Sequence, residues 1–179
     1  MLNFCLLEPR NTNEYLISRK LSIMKKLLPL LILCLGCNLN AQDSETEQVK
    51  TTIVNFFEAF HKQDTTALKA MAKGDVKLQS ISVNMEGQSV LSESEYGQFL
   101  KSIASIPKEN KFEEKLFGFN IQVDGNMANA WTPYEFWYNG NFSHCGVNSF
   151  QLMKEDNEWK IIYLVDTRRR EGCQENSKD

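Results

Sequence analysis

The sequence predicts an α+β fold in which a curved antiparallel sheet wraps around N-terminal helices. Near the start of the chain, Val49, Ile53, Phe56, Phe57 and Phe60 recur at helical spacing and form one broad apolar stripe. From Ala128 to Cys173, three alternating runs separated by two turn signals carry aromatic side chains on both faces, as antiparallel strands do. Helices laid against such a sheet build a cup. With 179 residues, 42% of them hydrophobic and 24% charged, the chain suits one ordinary globular domain.

The first segments are read as an address and not as part of the fold. Met24-Lys25-Lys26 is a short basic region, Leu27 to Leu35 is apolar but for Pro29, and Asn38-Leu39-Asn40-Ala41 ends in a small residue. That is the layout of a secretory signal, residues 24–41, cleaved after Ala41, and it places the protein in the periplasm or outside the cell. A competing reading makes Gly36-Cys37 a lipid attachment site anchored at Cys37, although Cys34 stands where such sites usually carry Leu. The apolar run falls far short of the ~20 residues that span a bilayer, so no transmembrane span is expected. Residues 1–23 precede a complete signal and are read as a non-native upstream extension, leaving 42–179 as the single domain. The net charge of −3 implies no nucleic-acid partner. The one local cation cluster, Arg168-Arg169-Arg170, is partly offset by Glu171.

The mature chain opens on polar residues 42–47, suited to a helix N-terminus, and the first helix runs from about Glu47 to Lys62. Asp64-Thr65-Thr66 caps a shorter second helix that carries Leu68 and Met71 and stops near Gly74. Val76 to Asn84 alternates as a strand, and Glu86-Gly87 marks a turn. Ser92-Glu93-Ser94-Glu95 reads as a capping box opening a third helix that buries Tyr96, Phe99, Leu100 and Ile103 and ends at Pro107. Phe112 to Val123 reads as one further strand, and Asp124-Gly125 as a hairpin turn into Ala128.

Counting from the turns registers the last strands. A turn at Asn139-Gly140-Asn141 sets Phe136 opposite His144 and Thr132 opposite Asn148. A turn at Asp156-Asn157 sets Asn148 opposite Val165, Phe150 opposite Tyr163 and Leu152 opposite Ile161. Alternation then puts Thr132, Tyr134, Phe136, His144, Asn148, Phe150, Tyr163 and Val165 on one face. The other holds Trp131, Glu135, Trp137, Cys145, Val147, Ile162, Leu164, Asp166 and Arg168. One face covers the helices. The other is too aromatic to leave in water, which argues for a homodimer through Trp131, Trp137, Val147, Leu164, Asp166 and Arg168.

Three segments carry a resemblance: Phe56-Phe57-Glu58-Ala59-Phe60-His61-Lys62-Gln63-Asp64, Phe150-Gln151-Leu152, and Glu158-Trp159-Lys160-Ile161-Ile162. They resemble the nuclear transport factor 2-like superfamily, a cystatin-like α+β cone, and within it the SnoaL-like polyketide-cyclase and lumazine-binding-like branches. The resemblance covers nearly all of residues 47–170. It implies a conical pocket between the concave face and the helices, with dimers formed through the opposite face. It does not imply one activity, because the superfamily hosts isomerases, cyclases, dehydratases, carriers and association domains.

Catalytic members place a carboxylate or histidine on the first strand or inside the last strands. Here Val76 to Asn84 holds no Asp, Glu or His, and Tyr163 and Val165 occupy positions where related chains often carry histidine. His144 is left as the cavity-side candidate base. It cannot pair with Cys145, since adjacent strand residues point to opposite faces. Cys145 and Cys173 are the candidate disulfide, closing a loop of roughly 28 residues worth about 3–4 kcal/mol, with Gly172 permitting the reversal. Asp166 and Arg168 read as a clamp for an anion, a charge pair at a dimer seam, or a surface ion pair. His61 and His144 lie too far apart to make a metal site, and no cofactor is expected. The expected pocket is Thr132, Tyr134, Phe136, His144, Asn148, Phe150 and Tyr163, holding a small apolar or aromatic ligand. The alternatives are a cyclase, isomerase or dehydratase using His144 with Tyr134 or Tyr163, and a dimerisation module with a filled core.

Overall fold

Helix α1 covers residues 44–61 and turns its apolar stripe inward, with Val49 and Ile53 fully buried and Phe56, Phe57 and Ala59 nearly so. The computed structural model describes residues 44–173. The upstream extension, the signal with its cleavage after Ala41, and Cys5, Cys34 and Cys37 lie outside the described residues. Gln63, in the left-handed region at φ 55°, breaks the chain away from α1. Asp64 then caps α2 (Thr65–Ala70), its Oδ1 accepting from the Ala67 N–H at 3.0 Å.

Strand β1 (Ala72–Val83) leaves α2 almost at once and starts before the expected Val76, so Gly74 lies within the strand. The Asn84 Oδ1 accepts from the N–H groups of Glu86 and Gln88, closing a turn into β2 (Ser89–Glu95). The sequence reading of Ser92-Glu93-Ser94-Glu95 as a capping box is therefore corrected: these residues pair antiparallel with Ser80, Gln79, Leu78 and Lys77 of β1. A capping box specifies residue types but not the absence of a strand partner, and the tight turn after β1 supplies one. Helix α3 (Tyr96–Ser105) begins only after Glu95, which makes no side-chain cap bond. Tyr96 and Ile103 are buried on it, while Phe99 and Leu100 are only partly covered.

The single strand expected from Phe112 to Val123 is two: β3 (Phe112–Leu116) and β4 (Asn120–Asp124), parted at Gly118. Both pair antiparallel with β5 (Met127–Tyr138), β4 along its first half and β3 along its second. The change of partner falls at Pro133, which has no N–H to give a ladder and whose carbonyl accepts from Phe117. Strands β6 (Asn141–Glu155) and β7 (Glu158–Arg168) complete a sheet in the order β2-β1-β7-β6-β5-β3. The pairing of β1 with β7 is parallel, so the sheet is mixed, not wholly antiparallel.

Phe136 faces His144 and Thr132 faces Asn148 as expected, but the turn is Asn139-Gly140 alone: Asn141 pairs with Tyr138, and an irregularity between Phe136 and Trp137 restores the expected register. On the next pair the count holds only at Leu152 opposite Ile161. There β7 bulges by one residue, Ile162, after which Gln151 faces Tyr163, Phe150 faces Leu164 and Asn148 faces Asp166. A one-residue slip exchanges the faces of everything beyond it. The inner face meets α1 in a core of Phe150, Leu152, Ile161 and Val76, where the Phe56 and Phe57 rings meet Phe150 edge-on at 5.8 and 5.9 Å. Burial of each such side chain contributes about 1.5–3 kcal/mol. Lys154 and the Trp159 indole both reach Glu45, fastening the start of α1 to the sheet. Among the described residues no helix is long and apolar enough to cross a membrane.

Candidate functional site

The cup between α1, α3 and the concave face encloses about 350 Å³. Phe56, Phe57, Phe60, Phe99, Leu78 and Leu164 form its apolar walls, and Ser92, Glu93 and Ser94 of β2 form part of its rim. The Phe99 ring stacks on Phe60 at 5.9 Å, joining α3 to α1 across one side. Set into these walls is a polar cluster of Glu114, Asn148, Asp166 and Arg168.

Alternation on β3 explains Glu114. Phe112 and Leu116 point inward, and the residue midway between them must do the same. Its backbone N–H donates to His61 Nε2 at 2.8 Å, so α1 holds β3 at this point through an unprotonated ring nitrogen. Burial keeps His61 below its ordinary pKa, which suits an acceptor. The Glu114 carboxyl accepts at Oε1 from Asn148 Nδ2 at 2.6 Å. Loss of water raises its pKa to about 8, aided by the negative Asp166 and opposed by the Asn148 bond and by Arg168. At neutral pH this acid is mostly protonated.

Asp166 Oδ2 accepts from the Tyr134 hydroxyl at 2.9 Å and from Arg168 Nε at 2.8 Å. Tyr134 reaches it by lying across Gly146, where a Cβ would stand 1.7 Å from the Thr167 carbonyl oxygen and 2.9 Å from the tyrosine ring. Only glycine leaves room for that approach. Burial and the adjacent carboxylates hold the Tyr134 phenol far above its ordinary pKa, keeping it a donor. The Ser80 and Thr132 hydroxyl oxygens are buried without a hydrogen-bond partner among the described residues. Ser80 lines the cup directly.

Of the expected pocket residues, Asn148 lines the cup, while Thr132 and Tyr134 stand behind it on the same face. Phe150 is completely buried and belongs to the core. Phe136 stacks on His144 at 5.0 Å, and His144 sits beyond the cup, in a separate cleft with Arg168, Arg169 and Arg170. Its Nδ1 lies 3.0 Å from Ser143 Oγ, and burial and the nearby arginines lower its pKa. Tyr163 does not face the cup: the bulge turns it outward, where its hydroxyl donates to the Gln79 side chain. The same bulge brings Leu164, Asp166 and Arg168 inside, where sequence counting had them on the dimer face. Trp131, Trp137 and Val147 remain on the outer face, with Trp137 under the Lys115 ammonium at 4.4 Å. Cys145 and Cys173 are joined by a disulfide with Cα atoms 5.8 Å apart. Among the described residues no three His, Cys, Asp or Glu side chains gather as metal ligands would.

Glu114 lies on β3, outside the first and last strands where the family resemblance puts a catalytic carboxylate or histidine. The alternation of Phe112 and Leu116 around it was the available signal. Asp166 and Arg168 pair as their spacing implies, but nothing in the residue types near Ile162 announces the bulge that turns them into the cup.

The fold has counterparts among solved structures. A candidate dehydratase of the nuclear transport factor 2-like family from Streptomyces avermitilis superposes with a TM-score of 0.54 at 18% identity, over 71% of this chain and 97% of its own. The chain has the nuclear transport factor 2-like fold. A protein of unknown function from Mycobacterium tuberculosis matches that cone with a TM-score of 0.59 at 14% identity, over 79% and 83% of the two chains. A cystatin-like protein of unknown function from Nostoc punctiforme gives 0.54 at 12% identity, over 69% and 90%. No protein-family model matches the sequence, and no curated protein does. At these identities the shared property is the nuclear transport factor 2-like fold itself, and chemistry has to be argued from the cup.

Proposed function

We propose that the protein binds a small, flat, partly aromatic molecule in the cup and moves a proton on it, with Glu114 as the acid and, once ionised, the base. The observation that carries this is a carboxyl held at about 8 inside an aromatic cavity, in reach of a guanidinium. Such an acid is protonated at neutral pH yet close enough to ionisation to give and regain a proton. With Oε1 bonded to Asn148, Oε2 is the oxygen free to carry the proton toward a bound carbonyl or hydroxyl. Arg168 offers positive charge where a substrate oxygen becomes negative, and Asp166 orients that guanidinium while accepting a hydrogen bond from the Tyr134 hydroxyl. The reaction class is isomerisation, cyclisation or elimination of water, replacing the His144-based version of that alternative with a Glu114-based one. The candidate dehydratase among the structural neighbours falls in the same class.

Binding without turnover is the second reading, favoured by the unpartnered Ser80 hydroxyl among the polar groups set into the aromatic cavity. The open volume of about 350 Å³ tells against a filled association module. The protein is further proposed to be exported, on the strength of residues 24–41, and to pair with a second copy through the face bearing Trp131, Trp137 and Val147.

The test is 5-nitrobenzisoxazole, a flat neutral probe that opens when a base removes its ring C–H proton, breaking the N–O bond and releasing a coloured cyanophenolate. The expected result is catalysis above buffer background, rising with pH through about 8 and abolished in Glu114→Gln. Wild-type protein no better than free acetate at any pH would leave the binding reading in its place.

A further inference from the structure

A second cleft, of about 690 Å³, opens beside the cup and is lined by Ser82, Val83, His144, Arg168, Arg169, Arg170 and Glu171. We propose that it is the anion-binding end of one continuous site, so that the ligand is an amphipathic acid with its ring in the cup and its carboxylate or phosphate among these arginines. The inference rests on the functional reading of the cup and adds the substrate class.

Continuity comes first. Arg168 lines both cavities. Ser80 and Ser82, two apart on β1 opposite Asp166 and Arg168, run along the same face from the inner cavity to the outer. A molecule lying along that face meets the phenylalanine rings first and the guanidiniums last.

Charge comes second. Arg168 is matched by Asp166 at 2.8 Å, but Arg169 and Arg170 form no ion pair among the described residues. Glu171 is the one carboxylate in the cleft lining. Arg169, next to inward Arg168 and paired with outward Cys145, also lines the outer cleft beside Trp131 and Val147, so Arg170 is the unmatched guanidinium that joins Arg168 at the mouth of the cup, where both act on His144. Guanidinium forks match carboxylate and phosphate oxygens in pairs, so this residue type suits such a ligand.

Placement comes third. A run of arginines beyond the last strand is ordinarily a loose tail. Here Arg169 exchanges two backbone hydrogen bonds with Cys145, each 2.9 Å, and the Cys145–Cys173 disulfide closes the turn made at Gly172. The tail is therefore fixed beside His144 at the end of β7. An anchored cationic segment spends less ordering entropy on a ligand than a free one.

The experiment compares 2-naphthoate with 2-naphthamide by tryptophan fluorescence or calorimetry, using the oxidised wild-type protein and an Arg169→Gln/Arg170→Gln variant. The two probes share a ring and differ in charge. The expected result is about tenfold or greater preference for naphthoate in the wild type, as a charge-assisted hydrogen bond supplies, with that preference collapsing in the variant and at high salt. Equal affinities, a preference that survives the double substitution, or binding of neither probe would overturn the inference. Turnover of 5-nitrobenzisoxazole is read on the same wild-type preparation. Turnover with no anion preference sinks this inference alone, whereas anion preference with no turnover sinks the proton-transfer reading alone. Inorganic phosphate competing as well as naphthoate would show a free-anion site with no role for the cup, and would also overturn it.

Discussion

Glu114 ties the proposed chemistry to stability. In the unfolded chain its carboxyl ionises near the ordinary 4.5, and in the fold at about 8. Between those values the folded protein holds a proton that the unfolded chain has released. The stability due to this group is complete below about 4.5 and is lost as pH climbs toward 8. Glu114→Gln keeps the acceptor for Asn148 and removes the titration. Its stability relative to wild type should therefore rise by roughly 2–4 kcal/mol between about pH 5 and pH 8, read from urea denaturation at both. A difference that does not change with pH would mean that the carboxyl is not held protonated. A buried acid that costs stability at neutral pH suits function better than folding. In the sequence its inward orientation could have been read from Phe112 and Leu116 on either side.

At the scale of elements, the tail after β7 depends on one covalent link. Cys173→Ser should lower stability by about 3–4 kcal/mol in the chain-entropy view, and reduction of the wild type should do the same. Hydrogen exchange should show the loss concentrated at Cys145 and Arg169, whose mutual backbone bonds the link protects. Protection there that is indifferent to reduction would show that the strand pairing alone holds the tail. The elements themselves were legible in unequal degree. The stripe on α1, the Asp64 cap and the hairpin between β5 and β6 are local signals, and the structure repeats them. Strand β2 was not legible, since all its residues are exposed and its Ser-Glu pattern also suits a helix start. The split between β3 and β4 falls at Gly118 and beside Pro133 of the neighbouring strand, and only the glycine stands in the local window.

For the whole molecule, the outer face of the sheet still carries apolar side chains in water. Trp131 is 52% exposed and Phe142, paired with Trp137, is 41% exposed. The proposed homodimer covers this face. Light scattering behind a sizing column should give twice the chain mass, and Trp131→Lys should give the monomer without loss of secondary structure. A wild-type monomer at tens of micromolar would set the dimer aside. The general architecture was readable because a cup needs only amphipathic helices and a curved sheet. The inventory of its inner wall was not, because that depends on Ile162. If Ile162 were taken up into regular pairing, the same retained residues would present Tyr163 and Val165 to the ligand in place of Leu164 and Asp166. Two relatives could thus align without a gap through β7, agree at every charged position, and still expose different functional groups to their substrates. For proteins built on this cone, kinship in activity should be judged by strand parity as well as by residue identity.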